Sequence, residues 1–478
     1  MVRCIDIIIQ AVPDRPGGAA RRRDLVTGLP KAETNASKAA PGAESEQGGI
    51  VSDAESSSEL RRGVVTTLST ELATPSPFHF GFDIAPWFAD ALAAATRDCP
   101  VDRLVIFTDH QVFQRCGREI HDPLARRWPH VNIHLLPEDE TTKTFAHLER
   151  ACQRMVDLGI TKRSLILALG GDSIGNVAGL VAGLTFRGIR FVDVPTTFTR
   201  QTDGSLSNKR TINSSCGKNH FGLYHAPLFV WSDAQYLLAE PVRVRRAGMV
   251  ESIKNALVHE TSFLPVLQRR LRADCEYTEA ALSQLALATI RSKLSILRGD
   301  PTENRYGLVL EYGHTFAHAL EWLAAGELLH GECVAIGMRL AARVAHRVGL
   351  IDQPLVDLHD ELIADRLGLR PRLPPSIDGT VMLSTMRADN KRTTDAVRYV
   401  LLEGAGRCSN REGDYLVTVD DEIVRDVIDE FLQITEPPAT KSAQAQCDER
   451  LHTAILQGLY ESHREQVQRA PTANPSPR

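Results

Sequence analysis

Two histidines and a glutamate have the residue types and spacing of a metal site. His314 and His318 stand four apart in EYGHTFAH, which places both on one face of a helix. His330 begins another helical pattern, and Glu251 lies in an earlier one. Two imidazoles and one carboxylate, as in Glu251, His314 and His330, suit a catalytic zinc-type ion that polarises a substrate hydroxyl or carbonyl. Spacing alone leaves ordinary helical histidines as an open alternative.

A glycine turn follows the apolar run that ends at Leu169. Residues 170–179 read GGDSIGNVAG. Such a turn between a strand and a helix lets backbone N–H groups approach a pyrophosphate at the helix N-terminus. The pattern differs from G-x-G-x-x-G, so an ordinary tight turn is an equally good interpretation. Asp172 would repel a pyrophosphate unless its carboxylate points away.

A polar, glycine-containing stretch over residues 203–219 carries Lys209, Asn213, Lys218 and Asn219. Such a loop could bind an anionic sugar phosphate through charge-assisted hydrogen bonds. In isolation, a solvated surface loop would be the favoured interpretation.

Three further polar residues have weaker signals. Asp109 follows a predicted strand and could accept hydrogen bonds from a ribose, although capping of the next turn is the favoured interpretation. Glu140 and Lys143 stand three apart, and a solvated pair at a helix start is their default interpretation.

The predicted secondary structure that must position these residues changes once along the chain, from alternating strands and helices to mainly helices. Over residues 61–240, apolar runs at 103–108, 164–169 and 191–194 alternate with helical patterns at 148–158 and 175–184. This predicts an α/β N-terminal nucleotide-binding domain with a parallel sheet. Over residues 241–435, helical patterns at 242–259, 278–298, 312–325 and 331–348 predict a mainly α-helical C-terminal domain. We expect the site in the cleft between them.

The two ends of the chain differ from the rest in composition. Residues 1–60 and 436–478 are predicted to be mostly disordered, because they are rich in small and polar residues and lack periodicity. The net charge of −5 and the lack of a long basic run argue against nucleic acid. No apolar run is long enough to span a membrane. The nine cysteines form no Cys-x-x-Cys pair, which favours a reducing cytoplasm.

Taken together, these segments resemble the sugar phosphate cyclase family, which includes dehydroquinate synthase. The resemblance covers about residues 65–435, with the segments in family order. It implies a dehydroquinate synthase-like fold, bound NAD, one divalent metal ion (Zn²⁺ or Co²⁺), a phosphorylated sugar substrate and a homodimer.

The resemblance also assigns roles by position. Metal ligation falls to Glu251, His314 and His330. NAD binding falls to Asp109, Glu140, Lys143, Gly170, Gly171, Thr196, Thr197, Asp203 and Lys209. Substrate binding falls to Lys218, Asn219, His318 and Lys391, and to Arg187 from across a dimer interface. Catalytic roles near the ring fall to Lys209, Lys254, Lys293, Glu311 and His318.

Three positions depart from dehydroquinate synthase itself, namely Asn176, Gly307 and Glu311. Gly307 cannot pair with a carboxylate where that enzyme has an arginine, so a substrate without a carboxylate is favoured. The resemblance then implies conversion of glucose 6-phosphate into 2-deoxy-scyllo-inosose, in aminoglycoside-type secondary metabolism. The steps are transient oxidation by NAD, phosphate elimination, re-reduction and aldol closure. Glu311 either handles a proton or orients His314.

Other activities stay open. They are cyclisation of sedoheptulose 7-phosphate, dehydroquinate synthesis, metal-dependent polyol oxidation and a non-catalytic regulatory role. Two more positions depart from the family pattern: Asp172 replaces the third glycine of the turn, and Gly204 stands where relatives usually carry serine.

Overall fold

The computed structural model describes residues 8–11, 64–68, 76–138, 140–214, 217–371, 377–387 and 396–433. Its strands are Ile8–Ala11 (β1), Val64–Leu68 (β2), Phe78–Gly81 (β3), Leu104–Thr108 (β4), Val131–Leu135 (β5), Leu165–Gly170 (β6), Arg190–Pro195 (β7), Lys209–Ile212 (β8), Phe221–Tyr224 (β9), Val230–Asp233 (β10), Arg398–Tyr399 (β11), Leu402–Gly404 (β12), Arg407–Cys408 (β13) and Val417–Thr418 (β14).

The main sheet has the order β1-β2-β3-β10-β7-β6-β4-β5. From β3 to β5 all neighbours are parallel, whereas β2 and β1 extend one edge antiparallel. This confirms the predicted parallel sheet. β4 and β6 are buried along their whole length, as strands covered by helices on both faces must be.

The helices are Phe88–Ala95 (α1), His110–Val112 (α2), Arg118–Arg127 (α3), Phe145–Asp157 (α4), Asp172–Leu184 (α5), Phe198–Thr202 (α6), Val242–Gly248 (α7), Val250–Val258 (α8), Leu264–Arg270 (α9), Glu279–Gly299 (α10), His314–Leu323 (α11), His330–Arg347 (α12), Gln353–Asp360 (α13), Gly379–Met386 (α14) and Asp421–Leu432 (α15). The second half of the chain is therefore mainly helical, as predicted. No helix among the described residues is both long and apolar enough to cross a membrane.

One prediction about an element is wrong in detail. The helix predicted over 242–259 is interrupted at Met249, next to Gly248, where a Cβ would lie 2.8 Å from Thr199 Oγ1 of α6. The prediction that residues 1–60 are mostly disordered stays a prediction. Within that range β1 pairs with β2, and its Ile8 and Ile9 have high β propensity.

Helix α5 carries a face of small residues that lets two arginines cross it. A Cβ at Gly175 would lie 2.3 Å from Arg200 Nη2, and one at Gly179 would lie 2.4 Å from Arg210 Cδ. Both arginines are fully buried. Glycine at these positions therefore brings α6 and β8 close to the helix that follows the glycine turn.

The helical half packs on one part of the sheet. Its hydrophobic core is continuous with Phe80 of β3, Phe198 of α6 and Val230 of β10. The carboxyl ends of β6 and β7 meet where Gly170 lies opposite Pro195. The predicted cleft begins at this edge, and the domain boundary near residue 240 stays a prediction.

Candidate active site

Three helix starts bring the predicted metal ligands together. Glu251 is in the first turn of α8, and His314 and His330 begin α11 and α12. Glu251 Oε1 lies 3.9 Å from His314 Nε2 and 3.8 Å from His330 Nε2. One ligand atom from each residue lies within 4.8 Å of the others. Zinc–ligand bonds of about 2 Å fit a cation between such atoms.

Hydrogen bonds at the opposite nitrogens orient both imidazoles. His314 Nδ1 lies 3.2 Å from the carbonyl oxygen of Tyr312. His330 Nδ1 lies 2.9 Å from Glu321 Oε1. When Nδ1 donates a proton to these acceptors, Nε2 is left with a lone pair that faces Glu251, which is the tautomer a metal requires.

The charge balance of this cluster fits a bound cation. Glu251 is 1% exposed, and its Oε1 accepts no hydrogen bond from the described residues, while Oε2 contacts Lys254 Nζ. A buried carboxylate oxygen without a partner is costly, and a bound cation would supply one. Burial, together with the nearby Lys254 charge, lowers the pKa of His314 and keeps its ring neutral.

Glu321 joins the metal cluster to the predicted phosphate site. Its Oε1 lies 2.9 Å from His330 Nδ1 and 2.9 Å from Lys218 Nζ. Burial would raise the pKa of Glu321, but His330 when it is protonated, and Lys218, lower that pKa well below its usual value. Glu321 was not predicted from the sequence, although it lies seven residues after His314 and therefore shares its helix face.

The glycine turn has the geometry of an anion site. Gly171 precedes α5 and offers no capping side chain, so the first N–H groups of the helix are open to a ligand. The N–H of Thr196 donates to the carbonyl oxygen of Gly170 at 3.0 Å, and Thr197 Oγ1 caps α6. A Cβ at Gly171 would lie 3.2 Å from Thr197 Cγ2, so glycine keeps the two segments close. The turn therefore fits a pyrophosphate.

Glu140 and Lys143 are not the solvated pair that was their default interpretation. Lys143 is 2% exposed, lies 3.1 Å from Glu140 Oε1 and donates to Asn219 Oδ1 at 2.6 Å. Glu140 also accepts a hydrogen bond from Asn213 and lies 3.4 Å from Lys218 Nζ. The stretch over 203–219 is accordingly not an isolated surface loop, because it packs on the residues after β5.

Two further ion pairs connect the two halves of the chain. Lys209 Nζ lies 2.7 Å from Glu303 Oε2, and Lys293 Nζ contacts Asp203 Oδ1. Burial opposes a charge on Lys293, but Asp203 outweighs that effect and raises the pKa of Lys293. Glu303 carried no signal in the sequence beyond being acidic.

Asp172 does point away from the turn. Its Oδ1 accepts a hydrogen bond from Arg200 Nη1 at 2.9 Å, and its Oδ2 accepts one from Asn176 Nδ2 at 2.7 Å. Burial would raise the pKa of Asp172, but Arg200 and Lys143 lower it to about 2. Arg200 also donates to Asp193 Oδ2 at 2.6 Å. These two contacts of Arg200 were not predicted from the sequence.

Asp109, Arg187 and His318 are three more predicted site residues that the structure describes. Asp109 Oδ1 caps α2 by accepting from the N–H of Val112 at 2.8 Å, as the favoured interpretation held. Arg187 is exposed near the far end of α5, about 20 Å from its start at ~1.5 Å per residue. His318 stacks edge-on against His314, with ring centroids 5.7 Å apart. Lys391 lies outside the described residues.

Comparison with known proteins gives consistent matches. Residues 133–247 match a family model described as 3-dehydroquinate synthase N-terminal, and residues 248–392 match 3-dehydroquinate synthase C-terminal. A 2-deoxy-scyllo-inosose synthase from Streptomyces kanamyceticus is 33% identical over 80% of this chain and 97% of its own length. One from Micromonospora echinospora is 35% identical over 74% of this chain and 89% of its own length.

A solved structure agrees with these sequence matches. The crystal structure of 2-deoxy-scyllo-inosose synthase complexed with carbaglucose-6-phosphate, NAD+ and Co2+ aligns with a TM-score of 0.70 at 31% identity. The alignment covers 76% of this chain and 99% of that one.

Proposed function

Because the chain belongs to the 3-dehydroquinate synthase family, we propose that it is a sugar phosphate cyclase that converts glucose 6-phosphate into 2-deoxy-scyllo-inosose and releases phosphate. The observation that carries this proposal is a continuous set of contacts across the cleft. Lys218 lies within 3.4 Å of Glu140 on the glycine-turn side and 2.9 Å from Glu321, the partner of His330, on the metal side. A nucleotide, a phosphate and a metal can therefore meet around one substrate.

The surroundings of Gly307 support a substrate without a carboxylate. Its N–H donates to Asp300 Oδ2 at 2.9 Å, and a Cβ at this position would lie 3.1 Å from Glu303 Cβ. A carboxylate brought to this point would meet two acidic side chains and no cation from residue 307. Glucose 6-phosphate and sedoheptulose 7-phosphate satisfy this condition, and the named relatives favour the former.

NAD, when bound, accepts a hydride from the substrate and later returns it, so the overall reaction is redox-neutral. The glycine turn would hold its pyrophosphate at the start of α5, next to Thr196 and Thr197. The remainder would be surrounded by Asp109, Glu140 and Lys143, which follow β4 and β5, and by Asp203 and Lys209, which lie after α6 and at the start of β8. Asp203 is held by Lys293, which fixes its carboxylate at the junction of cofactor and substrate.

A divalent metal ion, Zn²⁺ or Co²⁺, when bound by Glu251, His314 and His330, would make the substrate hydroxyl more acidic. Lys254 contacts Glu251 and would hold that carboxylate in its ligating orientation. Glu321 would do the same for His330 through the Nδ1 hydrogen bond.

Residues from both halves of the chain would bind the phosphate and transfer protons. We assign phosphate binding to Lys218, Asn219, His318 and Lys391. Glu311 ends a 3-10 turn three residues before His314, and we assign it proton transfer near the sugar ring. The alternative, that Glu311 orients His314, has less support, because the Tyr312 carbonyl already accepts from His314 Nδ1.

We also propose a homodimer. Arg187 is exposed with a left-handed φ of 66°, beside the 47% exposed Phe186. Phe145 of α4 and Phe221 and Tyr224 of β9 are also exposed, and the rings of Phe145 and Phe221 lie 4.9 Å apart. Both elements contact α5. A second copy of the chain would bury this apolar surface and bring its Arg187 towards the phosphate of the first.

A cytoplasmic location within aminoglycoside-type secondary metabolism completes the proposal. The six cysteines among the described residues all have free thiols, as a reducing compartment requires.

The test is to incubate the protein with NAD and Co²⁺ or Zn²⁺ and to offer three substrates in parallel. These are glucose 6-phosphate, sedoheptulose 7-phosphate and the dehydroquinate precursor. Phosphate release and product mass are measured. We expect phosphate and a six-membered carbocycle from glucose 6-phosphate. Phosphate release from sedoheptulose 7-phosphate alone would identify that sugar as the substrate instead. No phosphate release from any of the three would refute cyclisation.

A further inference from the structure

Asp172 and Gly204 compete for the same space beside the glycine turn. Asp172 is the first residue of α5, and Gly204 follows α6 in the 3-10 turn Gly204–Leu206. A Cβ atom at position 204 would lie 2.3 Å from Asp172 Oδ1. Gly204 is not among the residues with positive φ, so its backbone would accept a side chain. The Asp172 carboxylate is the nearest obstruction to one, and Arg200 Nη1 is a weaker second obstruction at 3.0 Å.

Arg200 explains why the carboxylate occupies that space. The side chain of Arg200 passes between Gly175 and Gly204, where a Cβ would lie 2.3 Å from its Nη2 and 3.0 Å from its Nη1, respectively. It is fully buried and donates to Asp172 on one side and Asp193 on the other. A buried guanidinium needs such partners, because an unpaired buried charge is strongly destabilising.

The orientation of Asp172 matters because of what the proposed function places beside it. Under that proposal, the pyrophosphate of NAD binds to the N–H groups at the start of α5. A carboxylate turned towards them would repel the phosphates. In the structure both oxygens are engaged sideways, Oδ1 by Arg200 and Oδ2 by Asn176.

We propose that Asp172 and Gly204 are a coupled pair of positioning residues, in which the absent side chain at position 204 leaves the space where Arg200 holds the carboxylate away from the NAD pyrophosphate. The two departures from the family pattern are then one change. Asp172 is compatible with NAD binding only while position 204 carries no side chain.

The test is a double-mutant cycle on the full-length protein with Gly204→Ala, Asp172→Gly and both together. NAD dissociation constants are measured by calorimetry, and melting temperatures are measured without NAD. We expect Gly204→Ala to weaken NAD binding by about tenfold or more. In the Asp172→Gly background, the same substitution should change NAD affinity by less than about threefold, because the 2.3 Å contact with Asp172 Oδ1 is gone and only the looser contacts with Arg200 remain. Gly299→Ala is the matched control, since a Cβ there meets nothing within 4 Å.

Equal losses in both backgrounds, or no loss for Gly204→Ala, would overturn the pairing. If Gly204→Ala alone does not fold, a folded double variant that binds NAD like Asp172→Gly supports the proposal, and an equally unfolded one refutes it. An unmutated protein that binds no NAD would refute the proposed cofactor and the role of the pair together. A normal affinity with additive losses would refute the pair alone.

Discussion

The metal cluster and the glycine turn each place a carboxylate in the first turn of a helix, and the two are balanced in opposite ways. Glu251 Oε1 is buried with no hydrogen-bond partner among the described residues. Asp172 is tied on one side to Arg200 and on the other to Asn176. At the first site Lys254 contacts only Oε2 of Glu251, so Oε1 is left for a bound metal ion. The second is already neutralised by the chain itself, which leaves the helix N-terminus free for an anion.

The largest effect is expected from removing the negative charge of Glu251 in the metal cluster. Glu251→Gln should weaken Co²⁺ binding by more than roughly 10–100-fold. That range is typical when a residue that only hydrogen-bonds to a ligand is changed, whereas Glu251 is itself a proposed ligand. Calorimetric titration with Co²⁺ measures it. Glu279→Gln, in the exposed first turn of α10, is the control. Unchanged Co²⁺ affinity in Glu251→Gln would mean that the metal binds elsewhere.

Glu321→Gln should have the next largest effect. It keeps the side-chain shape but weakens the hydrogen bond from His330 Nδ1, so we expect roughly 10–100-fold weaker Co²⁺ binding. It also removes the charge partner of Lys218. If Co²⁺ affinity is retained while only phosphate binding changes, Glu321 serves the lysine and not the metal ligand.

Lys218→Met tests the region between the two sites. A charged hydrogen bond contributes ~1.5–3 kcal/mol, so the KM for glucose 6-phosphate should rise roughly 10–100-fold. Steady-state phosphate release measures it, and the exposed Lys162→Met is the control. An unchanged KM for the Lys218→Met variant would show that this lysine does not bind the phosphate.

Glu240 is a third carboxylate to set beside Glu251 and Asp172, and its substitution should have the smallest effect. Glu240 is buried and accepts from the N–H of Phe198, and burial raises its pKa to about 8 despite the nearby Arg245. The folded state thus keeps a proton that the unfolded chain loses near pH 4.5. Stability falls as the pH rises from about 4.5 to 8, by at most ~1.4 kcal/mol per pH unit.

Glu240→Gln should therefore gain stability relative to the parent protein between pH 6 and pH 8. Melting temperatures at both values measure the gain. A constant difference across that range would show that Glu240 is ionised throughout.

The sequence was sufficient for features that depend on local pattern. Buried parallel strands such as β4 and β6 read as continuous apolar runs, and the spacing of His314 and His318 marked one helix face. The family resemblance then supplied Glu251 and His330 as partners. Features that depend on contacts between residues far apart in the chain could not be predicted from the sequence. Glu303, Glu321 and Arg200 each have a partner that lies 28–103 positions away, and no local spacing identifies those partners. The nearer partners, His330 of Glu321 and Asp193 of Arg200, lie on separate elements.

The most direct test of the central claim is a turnover experiment with NAD far below the concentration of glucose 6-phosphate. A cyclase returns the hydride within each cycle, so we predict that phosphate release exceeds the NAD present many times over, with no lasting rise in NADH absorbance. NADH formation that stops when the NAD is consumed, without phosphate release, would identify a polyol dehydrogenase and contradict the account.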